Sequence, residues 1–379
     1  MNTLKALFAC GALLAVSVAG TASAADNPAP DRALHRPYTL SELNKNGIPP
    51  LLDHITTREQ WAAKKSEILK TWIDYMGGLP ARPPVSYEVV STEKLKDHTR
   101  KKIIFNSVDG DKIPAFLLIP DTGAGEGGKF PAILALHPTN PYGKTSIATA
   151  EGMKNRTYAY ELVSRGYVVL APDDLTSGER IYPGHRDFDA SPFYEKYPHW
   201  STAGKNTVDH LQAMDLLSTL EFVDANRIGV IGHSFGAYNA YFLSAVDDRV
   251  KAVVSSCGLN PFTGNGEPSH WGVRPFPYTH LPKVTPDLAK DHVGFEFNEI
   301  IALSSPRPMF IYAAQRDHLF PHWQSVGACL LDVSKLYIWL GAEDRFVSFM
   351  GVGDHDFPPE IRKASYDFLD KWLKGGGTH

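Results

Sequence analysis

The stretch that decides the fold is Gly232-His-Ser-Phe-Gly236, which directly follows the apolar run Arg227-Ile-Gly-Val-Ile231 and precedes a helix-like segment. This is the G-x-S-x-G pattern of a sharp strand-turn-helix. The two glycines leave room for the strand and the helix to approach each other closely. A serine at the centre of such a strained turn is presented for reaction, so we predict that Ser234 is a nucleophile. Because roughly one chain in eight of this length carries the pentapeptide by chance, its context has to support the prediction.

Two residues with suitable chemistry follow Ser234, each just past a predicted strand. Asp317 comes after the apolar run Pro308-Met-Phe-Ile-Tyr-Ala313, and His355 comes after Phe346-Val-Ser-Phe-Met350. A carboxylate can hold an imidazole in the tautomer that accepts the proton of a serine hydroxyl. The chain order serine, aspartate, histidine is that of the α/β-hydrolases and differs from the orders in chymotrypsin and subtilisin.

Each assignment has an alternative that the sequence leaves open. Ser234 could be an ordinary helix N-cap, and His355 could be a histidine of a surface loop. The carboxylate could come from Asp344, Asp354 or Asp356 instead of Asp317. Of these, Asp354 and Asp356 flank the histidine directly and are poorly placed to reach its ring nitrogen.

The first 24 residues have the features of a secretory signal peptide. Lys5 supplies a positive start, residues 6–20 form an apolar segment, and Ala22-Ser-Ala24 fits a signal-peptidase site. The apolar segment is too short to span a bilayer. We therefore expect cleavage after Ala24 and a secreted or periplasmic protein with no membrane span.

Composition excludes several classes of protein. The formal net charge is −4, and this mildly acidic balance argues against nucleic acid as a partner. Beyond the predicted leader only Cys257 and Cys329 remain, too few for a disulfide scaffold, and whether they pair is left open. The sequence has no Cys-x-x-Cys pair and no His-x-x-x-His run that reads as a zinc-binding helix, so we predict no metal and no cofactor.

Helical and apolar segments alternate along most of the chain. Thr57-Arg-Glu-Gln60 is a capping box that begins a helix ending at Gly77-Gly78, and we expect this helix to buttress the main domain. Antiparallel strands are predicted between residues 86 and 118. From residue 131 onward, continuous apolar strands alternate with helices, which indicates a mostly parallel central sheet with helices on both faces. We predict three segments: a signal peptide (1–24), an N-terminal extension with the buttress helix (25–80) and a catalytic domain (81–379).

With these elements placed, the chain resembles the α/β-hydrolase superfamily, and within it the secreted bacterial esterases of the dienelactone-hydrolase and acetyl-xylan-esterase type. The matching stretches are Ala132-Ile-Leu-Ala-Leu-His137, Val223-Asp-Ala-Asn-Arg-Ile-Gly-Val-Ile-Gly-His-Ser234, Ser305-Pro-Arg-Pro-Met-Phe310, Asp317 with Pro321, and Gly353-Asp-His-Asp-Phe-Pro358. The resemblance implies an α/β-hydrolase fold and a serine esterase that works through an acyl-enzyme. It also implies an acetyl or other short-acyl ester of a carbohydrate as substrate.

The chain departs from the pattern of that superfamily at His137-Pro138-Thr139, where His-Gly is usual. Proline has no N–H to donate, so we predict that the backbone N–H groups of Thr139 and Phe235 form the oxyanion hole. We expect His137 itself to have a structural role. Two long connections, residues 173–204 and 258–298, are expected to form the substrate pocket. The aromatic residues predicted to line it are Tyr182, Trp200, Trp271 and Tyr278.

Two other functions compete with the esterase. A serine peptidase of the prolyl-oligopeptidase type would share the catalytic domain, but the chain has no room for a propeller before residue 130. A non-catalytic binding protein on a hydrolase scaffold is the other alternative. It would be favoured by the absence of a triad residue, and all three are present.

Overall fold

In the computed structural model, residues 34–274 and 278–375 are described, so the predicted signal peptide lies outside the described residues. The strands, in chain order, are β1 (Tyr38–Thr39), β2 (Tyr87–Lys94), β3 (His98–Asn106), β4 (Lys112–Pro120), β5 (Phe130–Leu136), β6 (Val168–Pro172), β7 (Val223–His233), β8 (Val250–Ser256), β9 (His292–Val293), β10 (Met309–Ala314) and β11 (Phe346–Gly351).

Among the described residues, β1 and β9 pair with each other, and the other nine strands form one large sheet whose two faces are covered by the α-helices. They are α1 (Leu40–Asn46), α2 (Arg58–Met76), α3 (Thr145–Ala148), α4 (Tyr158–Ser164), α5 (Ser191–Lys196), α6 (Thr202–Thr219), α7 (Phe235–Val246), α8 (Val284–Leu288), α9 (Phe297–Ala302), α10 (Trp323–Trp339) and α11 (Pro359–Leu373). Two buried clusters lie on opposite faces of the sheet. One cluster contains Trp72, Phe242 and Leu134 of β5. The other contains Phe368 and Ile133, the residue before Leu134, because successive side chains of a strand point to opposite faces of the sheet.

The central sheet has nine strands in the order β11-β10-β8-β7-β5-β6-β4-β3-β2. The strands β2, β3 and β4 are antiparallel, and β4 pairs antiparallel with β6. From β6 through β5, β7, β8 and β10 to β11 every pairing is parallel. This is the mostly parallel, helix-covered α/β-hydrolase sheet that the alternation of segments predicted, and the fold prediction is confirmed.

The order of the strands decides where a site can form. The chain passes from β5 to β6 on one side and then returns to β7 on the other side of β5. The connections after β5 and β6 therefore leave in opposite directions and open a crevice at the carboxyl ends of the strands. The loops that follow β5, β7, β8, β10 and β11 all begin at this edge.

The predicted buttress helix is α2, which begins with the expected capping box between Thr57 and Gln60 and ends at Gly77 in the left-handed conformation. Its Trp72 is fully buried and packs against Phe242 of α7, with ring centroids 4.5 Å apart. The helix after Ser234 thus packs on α2, so the N-terminal extension supports the element that follows Ser234. The division into an extension and a catalytic domain remains a prediction.

Two further features bear on the predictions. Cys257 and Cys329 are both buried and free, each without a disulfide partner among the described residues. Within the same residues, no helix combines the length and the hydropathy needed to cross a bilayer.

Candidate active site

Ser234 lies at a sharp turn between β7 and α7, where its backbone adopts φ 55° and ψ −116°. Its N–H donates to the carbonyl of Ser256 on the neighbouring strand at 2.8 Å, which fixes the turn against β8. The side chain makes no capping hydrogen bond to the helix. Ser234 is therefore not an ordinary N-cap, and its strained backbone presents the hydroxyl at the edge of the sheet.

The two glycines of the turn are required by its packing. A Cβ atom on Gly232 would lie 2.2 Å from the carbonyl group of Gly236. A Cβ atom on Gly236 would lie 2.1 Å from the carbonyl oxygen of Leu136 on β5. The close approach of strand and helix that the sequence pattern predicted is thus present at both positions.

Asp317 and His355 lie in contact after the ends of β10 and β11. The Nδ1 atom of His355 is 2.7 Å from Oδ2 of Asp317. The other carboxylate oxygen of Asp317 accepts the backbone N–H groups of Leu319 and Phe320, at 2.9 and 3.1 Å. Both oxygens are therefore held, and the carboxylate can keep the imidazole in the tautomer with its proton on Nδ1.

The second ring nitrogen of His355 makes no hydrogen bond among the described residues. Ser234 and His355 line one cavity, and His355 Nε2 is buried. The hydroxyl of Ser234 and the imidazole of His355 therefore belong to one cavity wall without a hydrogen bond between them. Such serine–histidine contacts are commonly loose in unliganded hydrolases and tighten when substrate binds.

The three alternative aspartates bind elsewhere. Asp344 pairs with Lys371, and Asp354 pairs with Arg316 at the surface. Asp356 binds Arg156, which also donates to the carbonyl of His355 at 3.1 Å. Asp356 thus helps to fix the loop of the histidine, and Asp317 is the carboxylate that reaches its ring.

The backbone around Thr139 is oriented by its neighbours. The carbonyl of Pro138 accepts a hydrogen bond from the side chain of Asn140 and lies 2.8 Å from Nδ1 of His137. Because a trans peptide points its C=O and N–H in opposite directions, these contacts turn the N–H of Thr139 away from them. Thr139 lines the cavity beside Ser234. The N–H of Phe235 opens α7, where helix N–H groups lack partners within the helix.

The cavity beside Ser234 has a volume of about 290 Å³. Its wall is largely aromatic and apolar and includes Phe188, Phe235, Tyr278, Leu319 and Phe320. Tyr278 is the one residue of the predicted aromatic set that lines it, and its hydroxyl accepts a hydrogen bond from Asn206 at 3.0 Å. The two long connections do contribute to the pocket, as expected, through Phe188 and Tyr278.

The other three predicted pocket residues lie outside this wall, which corrects the sequence prediction. Trp200 and Tyr182 belong to a separate aromatic cluster, in which Trp200 donates to the carbonyl of Gly78 in the N-terminal extension. Trp271 is fully buried behind the wall, where its indole N–H donates to Asn260 and its ring stacks on Phe297 at 4.5 Å. These side chains anchor the long connections to the protein instead of facing the substrate.

Three histidines of the wall are uncharged at neutral pH. Burial lowers the pKa of His233 and of His280 well below the ordinary value, and it lowers that of His270 to about 3. The ring of His233 also packs against His355, with centroids 4.9 Å apart. These rings therefore offer neutral hydrogen-bonding groups and add no charge to the cavity.

Cys257 lies under the histidine–aspartate pair. Its Sγ atom, a carboxylate oxygen of Asp317 and a ring nitrogen of His355 all fall within 4.8 Å of one another. Two ligands of one tetrahedral zinc ion would stand about 3.3 Å apart, so the 2.7 Å contact between Asp317 and His355 is that of a hydrogen bond. Burial raises the pKa of the Cys257 thiol, which keeps it protonated and unreactive at neutral pH.

Several residues of the cavity wall belong to no sequence motif. Arg156 precedes α4 outside any motif, and Arg274 lies in the connection after β8. Met153, Leu319 and Phe320 also line the cavity without a recognisable pattern. Their positions depend on how the loops after β5, β8 and β10 fold back over the sheet edge, which periodicity does not reveal.

Comparison with known proteins agrees with this architecture. The chain is 28% identical over 313 residues to the putative hydrolase YtaP of Bacillus subtilis, a match that covers 82% of this chain and 100% of the relative. A glucuronoyl esterase from Solibacter usitatus superposes with a TM-score of 0.64 at 20% identity, covering 83% of this chain and 93% of that one. A putative acetyl xylan esterase from Bacteroides fragilis gives a TM-score of 0.61 at 19% identity, covering 86% and 87%.

At such low identity the solved structures establish the fold alone. The family is established separately, because the sequence model of the Abhydrolase family matches residues 45–322, which include Ser234 and Asp317. The chain therefore belongs to the Abhydrolase family of hydrolases, as its resemblance to the α/β-hydrolases predicted.

Proposed function

We propose that this protein is a serine esterase that hydrolyses carboxylic esters through a covalent acyl-enzyme. The observation that carries the proposal is the contact of His355 with Asp317 at one ring nitrogen, while the other nitrogen lies buried beside the cavity that Ser234 lines. This arrangement supplies a nucleophile, a base and a group that orients the base.

In the first half of the reaction the Ser234 hydroxyl attacks the ester carbonyl. His355 accepts the hydroxyl proton at Nε2, and Asp317 stabilises the imidazolium that forms. The tetrahedral intermediate then expels the alcohol, which takes its proton from His355. In the second half, His355 activates a water molecule that attacks the acyl-enzyme and releases the carboxylic acid and free Ser234.

Negative charge develops on the carbonyl oxygen during both attacks. The N–H groups of Phe235 and Thr139 would stabilise it, and the contacts of His137 and Asn140 with the Pro138 carbonyl support that orientation of Thr139. Removal of one such donor typically raises the barrier by about 3 kcal/mol.

The substrate class is proposed by analogy. The structural neighbours include proteins described as a glucuronoyl esterase and a putative acetyl xylan esterase, and both names refer to esters of carbohydrates. A cavity of about 290 Å³ suits an acetyl or other short acyl group together with part of a sugar. We therefore propose a short-acyl ester of a carbohydrate, and secretion or periplasmic export of the enzyme by the leader of residues 1–24.

Hydrolysis of p-nitrophenyl acetate and butyrate by residues 25–379 tests this function, with Ser234→Ala as the matched control. We expect turnover by the wild type that is lost in the variant, and a preference for acetate if the acyl pocket is short. A dipeptide p-nitroanilide should not be cleaved, which separates the esterase from a prolyl-oligopeptidase-type peptidase. Absence of ester turnover in the folded wild type would overturn the proposal in favour of that peptidase or a non-catalytic binding protein.

A further inference from the structure

The residues that follow β6 are tied to helix α6 by two buried hydrogen bonds. Nε2 of His210 lies 2.6 Å from Oδ1 of Asp174, and both side chains are buried. The amide oxygen of Asn206 accepts the backbone N–H of Leu175 at 3.0 Å. Asn206 and His210 are four positions apart in the helix, so they lie on one face of it. That face therefore holds two consecutive residues of the connection after β6.

Asp174 in turn fixes the tautomer of His137, which directly follows β5. The backbone N–H of Asp174 donates to Nε2 of His137 at 3.0 Å. Because a backbone amide keeps its proton, Nε2 must be the acceptor, and the proton of the neutral ring lies on Nδ1. The carboxylate oxygen Oδ2 of Asp174 is 3.6 Å from the same nitrogen, which is too far for a hydrogen bond. The imidazole is therefore held in one tautomer, with Nδ1 as its donor.

His137 contacts both parts of the proposed oxyanion hole. Its Nδ1 lies 2.8 Å from the carbonyl oxygen of Pro138, and this carbonyl belongs to the peptide unit that carries the N–H of Thr139. Its ring also stacks on the ring of Phe235, with centroids 6.3 Å apart and 23° between the planes. With the proton on Nδ1, the imidazole donates to the Pro138 carbonyl. In the other tautomer, the lone pair of Nδ1 would face that oxygen, and the contact would be repulsive.

We propose that His210 and Asp174 are positioning residues for the oxyanion hole and act through His137. Neither of the two side chains lines the cavity. Their role is to keep the Nδ1–H of His137 on the Pro138 carbonyl, so that the N–H of Thr139 stays directed toward the oxyanion. This inference rests on the proposed esterase function and adds the residues that support its oxyanion hole.

Kinetics of two His137 variants test the last step of this chain of contacts. His137→Leu removes the donor, and we expect kcat for p-nitrophenyl acetate to fall by about tenfold to a hundredfold with a smaller change in KM. The loss should stay below that of a missing oxyanion donor, because Asn140 also donates to the Pro138 carbonyl, at 2.8 Å. His137→Asn should retain more activity, since its amide nitrogen can take the place of Nδ1.

A second pair of variants tests His210. His210→Gln keeps a donor for Asp174, whereas His210→Leu removes it and should lower kcat by about tenfold. Each leucine variant should also bind benzyl trifluoromethyl ketone more weakly, by the factor that it loses in kcat/KM, because this inhibitor forms a tetrahedral oxyanion on Ser234. His98→Leu is the matched control, because His98 is fully buried on β3, lies 2.7 Å from a carboxylate oxygen of Asp97 and does not line the cavity. This control should lower the Tm and leave kcat unchanged.

A crystal structure of the wild type with the same ketone bound needs no variant to fold. We expect the oxyanion within about 3.1 Å of the backbone nitrogen of Thr139, with Nδ1 of His137 still on the Pro138 carbonyl. An oxyanion that points away from Thr139, or a His137 ring that has left the carbonyl, would overturn the proposal.

The kinetic outcomes separate the two proposals. Full kcat in His137→Leu and His210→Leu would overturn the positioning role and leave the esterase standing. An equal loss of kcat in His98→Leu would assign the effect to destabilisation and would also overturn that role. Failure of the folded wild type to hydrolyse p-nitrophenyl acetate would overturn the esterase and this inference with it.

Discussion

The Nδ1 atom of His355 lies 2.7 Å from Oδ2 of Asp317, although 38 positions separate the two residues in the chain. The pairing of their strands explains the contact. Residues Ala314 of β10 and Gly351 of β11 are partners in parallel register, so the loops after both strands start side by side at one edge of the sheet. The sheet topology, and not proximity in sequence, brings the imidazole of His355 and the carboxylate of Asp317 together.

Replacement of Asp317 by asparagine should remove most of the activity. An asparagine side chain can occupy the same space, but it can donate to Nδ1 and so favour the wrong tautomer of His355. We expect kcat for p-nitrophenyl acetate to fall by about 10³- to 10⁴-fold with little change in thermal stability. Asp344→Asn is the control, since Asp344 lies at the surface and pairs with Lys371. Comparable losses in both variants would show that the carboxylate has been misassigned.

Arg156 should act as a positioning residue for His355. Its guanidinium binds Asp356 and donates to the carbonyl of His355, so it holds the loop that carries the imidazole. Because small misplacements of a catalytic group are costly, we expect Arg156→Gln to lower kcat by about tenfold to a hundredfold while KM changes less. Arg36→Gln is the control, because Arg36 is exposed and pairs with Glu42 in the N-terminal extension. A change confined to KM would contradict the positioning role.

Gly236→Ala should destabilise the protein. The added methyl group would lie 2.1 Å from the carbonyl oxygen of Leu136, and neither backbone can move without disturbing the sheet. Overpacking of this kind typically costs about 1–3 kcal/mol, and urea denaturation measures the loss. Gly266→Ala is the matched control, because nothing lies within 4 Å of its Cβ position. Equal stability of the two variants would show that the turn has room for a methyl group at position 236.

The ion pairs of Asp111 with Arg180 and Lys205 should make the stability of the protein depend on pH. Asp111 lies 2.7 Å from both Arg180 and Lys205. Burial alone would raise the pKa of Asp111, but the charges of Arg180 and Lys205 outweigh it and hold the pKa below the usual range. A lowered pKa in the folded state means that these ion pairs stabilise the protein above the unfolded pKa of about 3.9 and that this contribution is lost at lower pH.

The variant Asp111→Asn tests the direction in which this contribution to stability changes with pH. The Asp111 side chain is 34% exposed, so we expect the variant to lose about 1–2 kcal/mol of unfolding free energy near neutral pH, less than a fully buried pair would. Urea denaturation of wild type and variant at several pH values measures the difference. It should be constant from about pH 7 to pH 5 and shrink below about pH 4. If the difference in unfolding free energy between wild type and variant increased at lower pH, the lowered pKa of Asp111 would be contradicted.

The sequence predicted the parts of the site that follow from strand ends. Continuous apolar runs identified the strands before Ser234, Asp317 and His355, and the glycines at 232 and 236 carried the signature of the turn. These features are local, because each depends on a few residues and on the fixed geometry of a strand or a tight turn. Because parallel strands end at the same edge of the sheet, the positions of the three loops follow from the strands alone.

The pocket wall was predicted less well because it depends on tertiary packing. Aromatic content alone did not distinguish Tyr278, which lines the cavity, from Trp200 and Trp271, which are anchors in the core. Arg156 and Arg274 belong to no motif, and their importance comes from the carboxylate, carbonyl and imidazole groups that they meet in space. Such partners are set by how long loops fold, which a single sequence does not encode as a repeating pattern.

The central proposal is that Ser234 is an activated nucleophile, and covalent labelling tests it directly. The protein is treated with a fluorophosphonate at neutral pH, and the adduct is located by peptide mass spectrometry. We expect one adduct per chain, on the peptide that contains Ser234, and much slower labelling in His355→Ala. Absence of an adduct on the folded protein, or labelling at another residue that is insensitive to His355, would contradict it.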